Sequence, residues 1–190
     1  AWGTPELYDQ IPSASYILIE GLPFFEPHLK NIVTNRVRGE YILTAVGEAA
    51  GVRRVGVSTT PEDLAGINVV EGGLKGDQQF DIEIDTLDNI LRGKEIDLPL
   101  LVKIDIQGGD LAALRGGRST ICKAEVVIVE ASLINSKNLL RDIINEMALH
   151  GFQVYDLFGL SSRPYDGAIG QVDVTFVSRN SQLVQYKLWK

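Results

Sequence analysis

The residues equipped for chemistry sit where short apolar runs end in carboxylates. Leu100-Leu101-Val102-Lys103-Ile104 runs into Asp105, followed by Gln107, Gly108-Gly109 and Asp110. Residues 15–19 end on Glu20-Gly21, residues 125–129 on Glu130, and a later apolar run carries Asp156. A carboxylate can accept hydroxyl hydrogen bonds or take a proton. In open α/β sheets ligands bind just outside the carboxyl ends of the strands, where Asp105 and Gln107 are placed by this pattern. The plainer alternative for Asp105 is an ordinary strand-to-helix turn with a solvated acid.

The elements that must position these groups alternate between strand and helix. The central stretch reads as a buried parallel strand, a tight turn and a helix stopped by Gly116-Gly117. Upstream, Thr4-Pro5 opens a short helix that ends near Gln10. Residues 15–21 form a buried parallel strand, a helix follows over 28–33, and Tyr41 to Gly47 is a third strand. Residues 53–58 and 79–84 alternate apolar and polar, as half-exposed antiparallel strands do. Between them, residues 67–76 make a glycine-rich loop or lid. Asp85 or Thr86 caps a short helix. Residues 125–130 form another buried strand. Leu139, Leu140, Ile143, Ile144 and Met147 then mark the core face of a helix that stops at Gly151. The last two strands, 152–157 and 172–177, are joined by a loop of about a dozen residues, too short for a crossover helix, and so run antiparallel. No repeat, low-complexity tract or linker interrupts the chain, which reads as a single domain.

Composition narrows the class. The chain has 190 residues, 45% hydrophobic and 23% charged, the profile of a soluble globular domain with a substantial core. A net charge of −7 argues against nucleic acid as a partner, and the few cations around Lys30, Arg36 and Arg38 read as a solvated helix end. The single cysteine, Cys122, excludes an intramolecular disulfide and is expected to be a buried structural thiol. His28 reads as a surface residue and His150 as a helix-end residue favourable to the dipole; no metal site is evident. No run is long enough to span a membrane and no secretory signal is present, so a cytoplasmic setting without membrane contact is expected.

Strand–helix alternation closed by an antiparallel pair resembles the α/β fold of S-adenosylmethionine-dependent methyltransferases. That is a Rossmann-like class I methyltransferase sheet, mostly parallel with an antiparallel C-terminal strand pair. Five segments make the resemblance specific. Thr86-Leu87-Asp88, Lys103 to Gly108 with Asp110, Leu114-Arg115-Gly116, Gly151-Phe152 and Gln171 to Val177 follow the order and spacing of the FkbM family. The resemblance runs from about Trp2 to Val177. It implies S-adenosyl-L-methionine as cofactor and O-methylation of a hydroxyl on a sugar or small natural product, so the expected partner is a small-molecule or glycan acceptor. Glu20 would bind the ribose hydroxyls, with Gly21 letting the ligand come close. Ala45 and Val46 would lie near the adenine, while Asp105 and Gln107 would face the methionine part and the acceptor. Gly3 matches the last glycine of the loop after the family's first strand. The chain departs from the family at Gly21, where proline is frequent, and at Gln107, where glutamate is frequent. The family's first strand and most of its glycine-rich loop would precede Ala1. The expectation is therefore an N-terminally incomplete domain, or one that borrows a strand from another copy in a homo-oligomer.

Methyl transfer is an in-line displacement in which the enzyme aligns the acceptor and removes a proton when that acceptor is a hydroxyl. Asp105 is the first choice for the base, ahead of Glu130 and Asp156, which read more simply as helix-capping or solvated acids. Two other functions compete. An acid ending the second strand also suits the ribose of NAD in an oxidoreductase, although the later motifs and the antiparallel tail do not. A non-catalytic or degenerate methyltransferase-like binding module is the other.

Overall fold

The structure is a computed structural model that describes residues 5–57, 78–106, 108–134 and 138–185. Gly3, Thr4, Gln107 and the expected loop over 67–76 lie outside the described residues. The chain divides into two compact units, Ala1–Asp85 and Thr86–Lys190.

The first unit contains α1 (Pro5–Gln10), β1 (Ser15–Glu20), α2 (Glu26–Asn35), β2 (Arg38–Leu43), β3 (Ala45–Val46), β4 (Gly51–Val57) and β5 (Gln78–Asp85). Strands β1 and β2 run parallel, from Ser15 opposite Arg38 to Glu20 opposite Leu43. Tyr16 and Leu18 lie two residues apart and so on one face, where they pack against buried Tyr8, Ile32 and Val37. Strand β1 is consequently half-buried along most of its length, not buried as its apolar run suggested. The expected strand over 41–47 is also two strands. Leu43 still pairs with β1, whereas Ala45 and Val46 pair in parallel with Ile84 and Asp85 of β5. The chain changes neighbour at Thr44. Strands β4 and β5 are antiparallel, as their alternation indicated. Leu22, Phe25 and Ile82 form a second apolar cluster, joined by Ala45 and Ile84.

The second unit contains α3 (Leu87–Ile90), β6 (Leu100–Ile104), α4 (Asp110–Gly116), α5 (Arg118–Ile121), β7 (Ala124–Ser132), α6 (Leu140–Leu149), β8 (Phe152–Ser162) and β9 (Ile169–Ser178). Its four-stranded sheet has the order β6-β7-β9-β8; β6 and β7 are parallel and the other pairs antiparallel. Period-two alternation builds the core. Val127, Val129 and Ala131 of β7 and Val172, Val174 and Phe176 of β9 are buried, as are Ile143 and Met147 of α6. Glu130 and Asp173 occupy the alternate positions and so share the opposite face.

Across the described residues, then, the fold is α/β with mixed sheets, and the antiparallel C-terminal pair is present as expected. Pairing continues to Ser162 opposite Ile169, so the connection between β8 and β9 is residues 163–168, shorter than the sequence suggested. Cys122 is exposed, contrary to expectation. It follows fully buried Ile121 at the end of α5, and one further residue of helical rotation turns its side chain outward. His150 caps the C-terminal end of α6, the helix end expected for it, and is buried there. Its side chain is 2% exposed with Nε2 3.4 Å from Glu146 Oε1, and burial lowers its pKa. No helix among the described residues is long and apolar enough to cross a membrane.

Candidate functional site

In the first unit, Glu20 is the last residue of β1, and its Oε1 accepts the Leu22 N–H at 3.0 Å. A Cβ on Gly21 would lie 2.8 Å from the Cβ of Ala45 and 3.1 Å from its Cα. Only glycine lets the end of β1 come this near the start of β3. Glu20, Gly21 and Ala45 are therefore brought together, with half-buried Val46 next along β3.

The second unit gathers acids at the carboxyl ends of β6 and β7. Lys103, two residues before Asp105, donates from Nζ to Asp105 Oδ2 at 2.8 Å. Asp110, fully buried at the start of α4, accepts the N–H groups of Ile106 (3.2 Å) and Gly108 (3.1 Å) and Nδ2 of Asn138 (3.0 Å). Asn138 also donates to the carbonyl of Glu130 at 2.8 Å and accepts the Leu111 N–H at 3.3 Å. This network ties the turn after β6 to the end of β7. Gly108 takes φ +95° within the turn, a conformation that favours glycine. Burial pushes the Asp110 carboxyl up to about 6, against the backbone N–H groups that favour its charge.

Glu130 faces Asp173 directly across the β7–β9 pair, and Gln171 Nε2 donates to Glu130 Oε1 at 3.0 Å. Like charges directly opposite one another are unfavourable. Burial, followed by the charges of Asp105, Asp110 and Asp173, pushes Glu130 up to about 7, with Lys103 opposing. Asp173 is also raised, by burial first, with Lys103 opposing and Asp105 adding. Asp156 has a separate role: it is exposed, and its Oδ1 accepts the N–H of Leu157 at 2.8 Å.

Several motif residues turn out to build the scaffold. The Thr86 hydroxyl caps α3 by accepting the Asn89 N–H at 3.1 Å. Leu87 is buried against Gly117, whose Cβ would stand 2.9 Å from Leu87 Cδ2. Asp88 accepts the Ser119 and Thr120 N–H groups at 2.9 and 2.8 Å, satisfying the start of α5. Sequence reasoning gave no role to Lys103, Asn138, Gln171 or Asp173. The i, i+2 spacing of Lys103 and Asp105 and the polar alternation of β9 carry a signal for three of them. Asn138 reaches Asp110 across 28 positions and has none. Among the described residues, no group of three or more His, Cys, Asp or Glu side chains is arranged to hold a metal ion.

Comparison with curated proteins and with solved structures returns no match. The family model of the methyltransferase FkbM domain matches residues 20–154, from the end of β1 into β8 and well over half of the sequence, and the chain belongs to the FkbM methyltransferase family.

Proposed function

We propose that the chain is an S-adenosylmethionine-dependent O-methyltransferase acting on a hydroxyl of a sugar or small natural product. The observation that carries this is Glu20 at the end of a parallel strand, beside the Gly21–Ala45 contact and at the start of the matched family segment. The residues fit the cofactor chemically. A carboxylate is the acceptor that a ribose diol requires, and Ala45 and Val46 offer a half-buried apolar edge suited to adenine. When bound, S-adenosylmethionine supplies a methyl group on a positively charged sulfur. The family implies that Glu20 binds the ribose hydroxyls and that Asp105, paired with Lys103 Nζ at 2.8 Å, meets the methionine part. Gly3 and Gln107 keep the cofactor-binding assignments that the family implies. The order β6-β7-β9-β8 with its antiparallel tail supports a Rossmann-like class I sheet.

Calorimetric titration with S-adenosylhomocysteine, with NAD as the comparison, tests this function. Binding of the homocysteine product alone is expected. Silence from a folded sample, or binding of NAD instead, would overturn it.

A further inference from the structure

We propose that Glu130 takes the proton of the acceptor hydroxyl, with Gln171 holding its carboxylate and Asp173 opposing it across the strand pair. The role rests on the methyltransferase function above.

The other acids at these strand ends are committed elsewhere. Asp105 is held by Lys103 at 2.8 Å, so a proton placed on it would cost an ion pair. Asp110 is fully buried and receives hydrogen bonds from Ile106, Gly108 and Asn138, which leaves no open side for a substrate. Asp173 is tucked against β8. Its Oδ2 lies 2.3 Å from where a Cβ on Gly159 would stand, and Gly159 has φ +59°. A glycine at that point of β8 thus makes room for a carboxylate opposite Glu130. Glu130 itself is half-buried, and the hydrogen bond it receives from Gln171 supports the carboxylate form. Gln171 also lines a cavity of about 310 Å³ with Ser132, Ile134, Ser161, Arg163 and Gly170, large enough for part of a small ligand. The guanidinium of Arg163 is already paired with Asp166. The remaining hydroxyl and amide groups suit a neutral, hydroxyl-bearing acceptor.

The charges around Glu130 set its proton affinity. Asp105 beyond β6, Asp110 on α4 and Asp173 on β9 raise it, and Lys103 on β6 lowers it, leaving the carboxyl at about 7. A general base works best when its pKa lies near the working pH. In the transfer step, the acceptor oxygen forms a bond to the methyl carbon as the sulfur–carbon bond breaks and its electron pair returns to sulfur. The hydroxyl proton passes to Glu130, which then releases it to solvent.

Two measurements on the full chain test the role without a known acceptor. In the first, protein carrying ¹³C-labelled glutamate is titrated by NMR, with Glu130→Gln assigning the resonance. One carboxyl should titrate near neutrality and shift clearly downward in Asp173→Asn. In the second, carbodiimide with glycine ethyl ester is applied at neutral pH and the products are read by mass spectrometry. Glu130 should be labelled ahead of the other glutamates, because its carboxyl is both partly protonated and within reach of a small molecule. Titration in the ordinary glutamate range, or a Glu130 that the reagent does not reach, would overturn the proposal. The methyltransferase function fails separately, through loss of S-adenosylhomocysteine binding by the wild-type chain.

Discussion

Asp105 and Glu130 both follow apolar runs and look alike in the sequence, yet they meet different neighbours. Lys103 forms an ion pair with Asp105, whereas Glu130 faces Asp173 and shares the field of two further acids. That difference predicts how variants divide. With a hydroxyl acceptor, Glu130→Gln should lower turnover by about 10²- to 10⁴-fold, the usual contribution of a general base. The rise of the wild-type rate with pH near 7 should vanish with it, while affinity for S-adenosylhomocysteine stays close to wild type. A fall in affinity equal to the fall in turnover would make Glu130 a binding residue. In the first unit, Glu20→Ala should weaken S-adenosylhomocysteine by about 1–3 kcal/mol through its lost charged hydrogen bonds. Unchanged calorimetric affinity would remove Glu20 from the site. The positions of these acids were legible because apolar runs ending in carboxylates are a local pattern. Their ranking as bases was not, because it depends on β9, which lies about 40 positions further along the chain.

At the scale of elements, the turn between β6 and α4 is held by Asp110 as well as by the positive φ of Gly108. The N–H groups of Ile106 and Gly108 and Nδ2 of Asn138 converge on this carboxylate, and Asn138 passes the connection on to the end of β7. Replacing Asp110 by Asn would turn an amide NH₂ toward groups that are themselves donors. A loss of about 2–3 kcal/mol is expected in urea unfolding, since hydrogen bonds to charged groups contribute about 1.5–3 kcal/mol each and buried donors would be left unmet. The coupling of Asp110→Asn with Asn138→Ala should be clearly non-additive, as the two share one network. Near-wild-type stability in the single variant would show that the turn is held by other contacts. Thr86→Ala should cost about 1 kcal/mol through loss of the α3 cap, checked by the same unfolding curves. Boundaries and caps of this kind could be read from sequence: Thr86, the helix ending at Gly151 and the core position of Met147 all follow from local chemistry. The division of residues 41–47 between two strand partners could not, because nothing at Thr44 encodes a change of neighbour. The exposure of Cys122 and the burial of His150 were not legible for a related reason, since which side of a short helix faces the core is decided by packing.

For the whole molecule, the raised carboxylates impose a pH dependence on stability whose direction can be worked out. Glu130 titrates at about 7 in the fold against an ordinary value of 4.5, and Asp110 at about 6 against 3.8. Between those values the folded chain holds protons that the unfolded chain has lost, so stability falls as pH rises through the window. Above about pH 7 both contributions are spent. His150 acts in the opposite sense: burial lowers its pKa, so its contribution is present above its ordinary value and is lost as pH falls through the folded one. On the neutral side of the window, between about pH 6 and 8, Glu130 dominates. Because its carboxyl is only half-buried, solvent screening reduces the effect to about 1 kcal/mol. For a chain of this size that corresponds to about 2–4 °C. Thermal melts should therefore give a higher Tm at pH 6 than at pH 8, and Glu130→Gln, which cannot exchange the proton, should remove most of the difference. If Glu130→Gln leaves the difference between the two Tm values unchanged, Glu130 is charged throughout this range, and its capacity to collect a proton near neutrality goes with it.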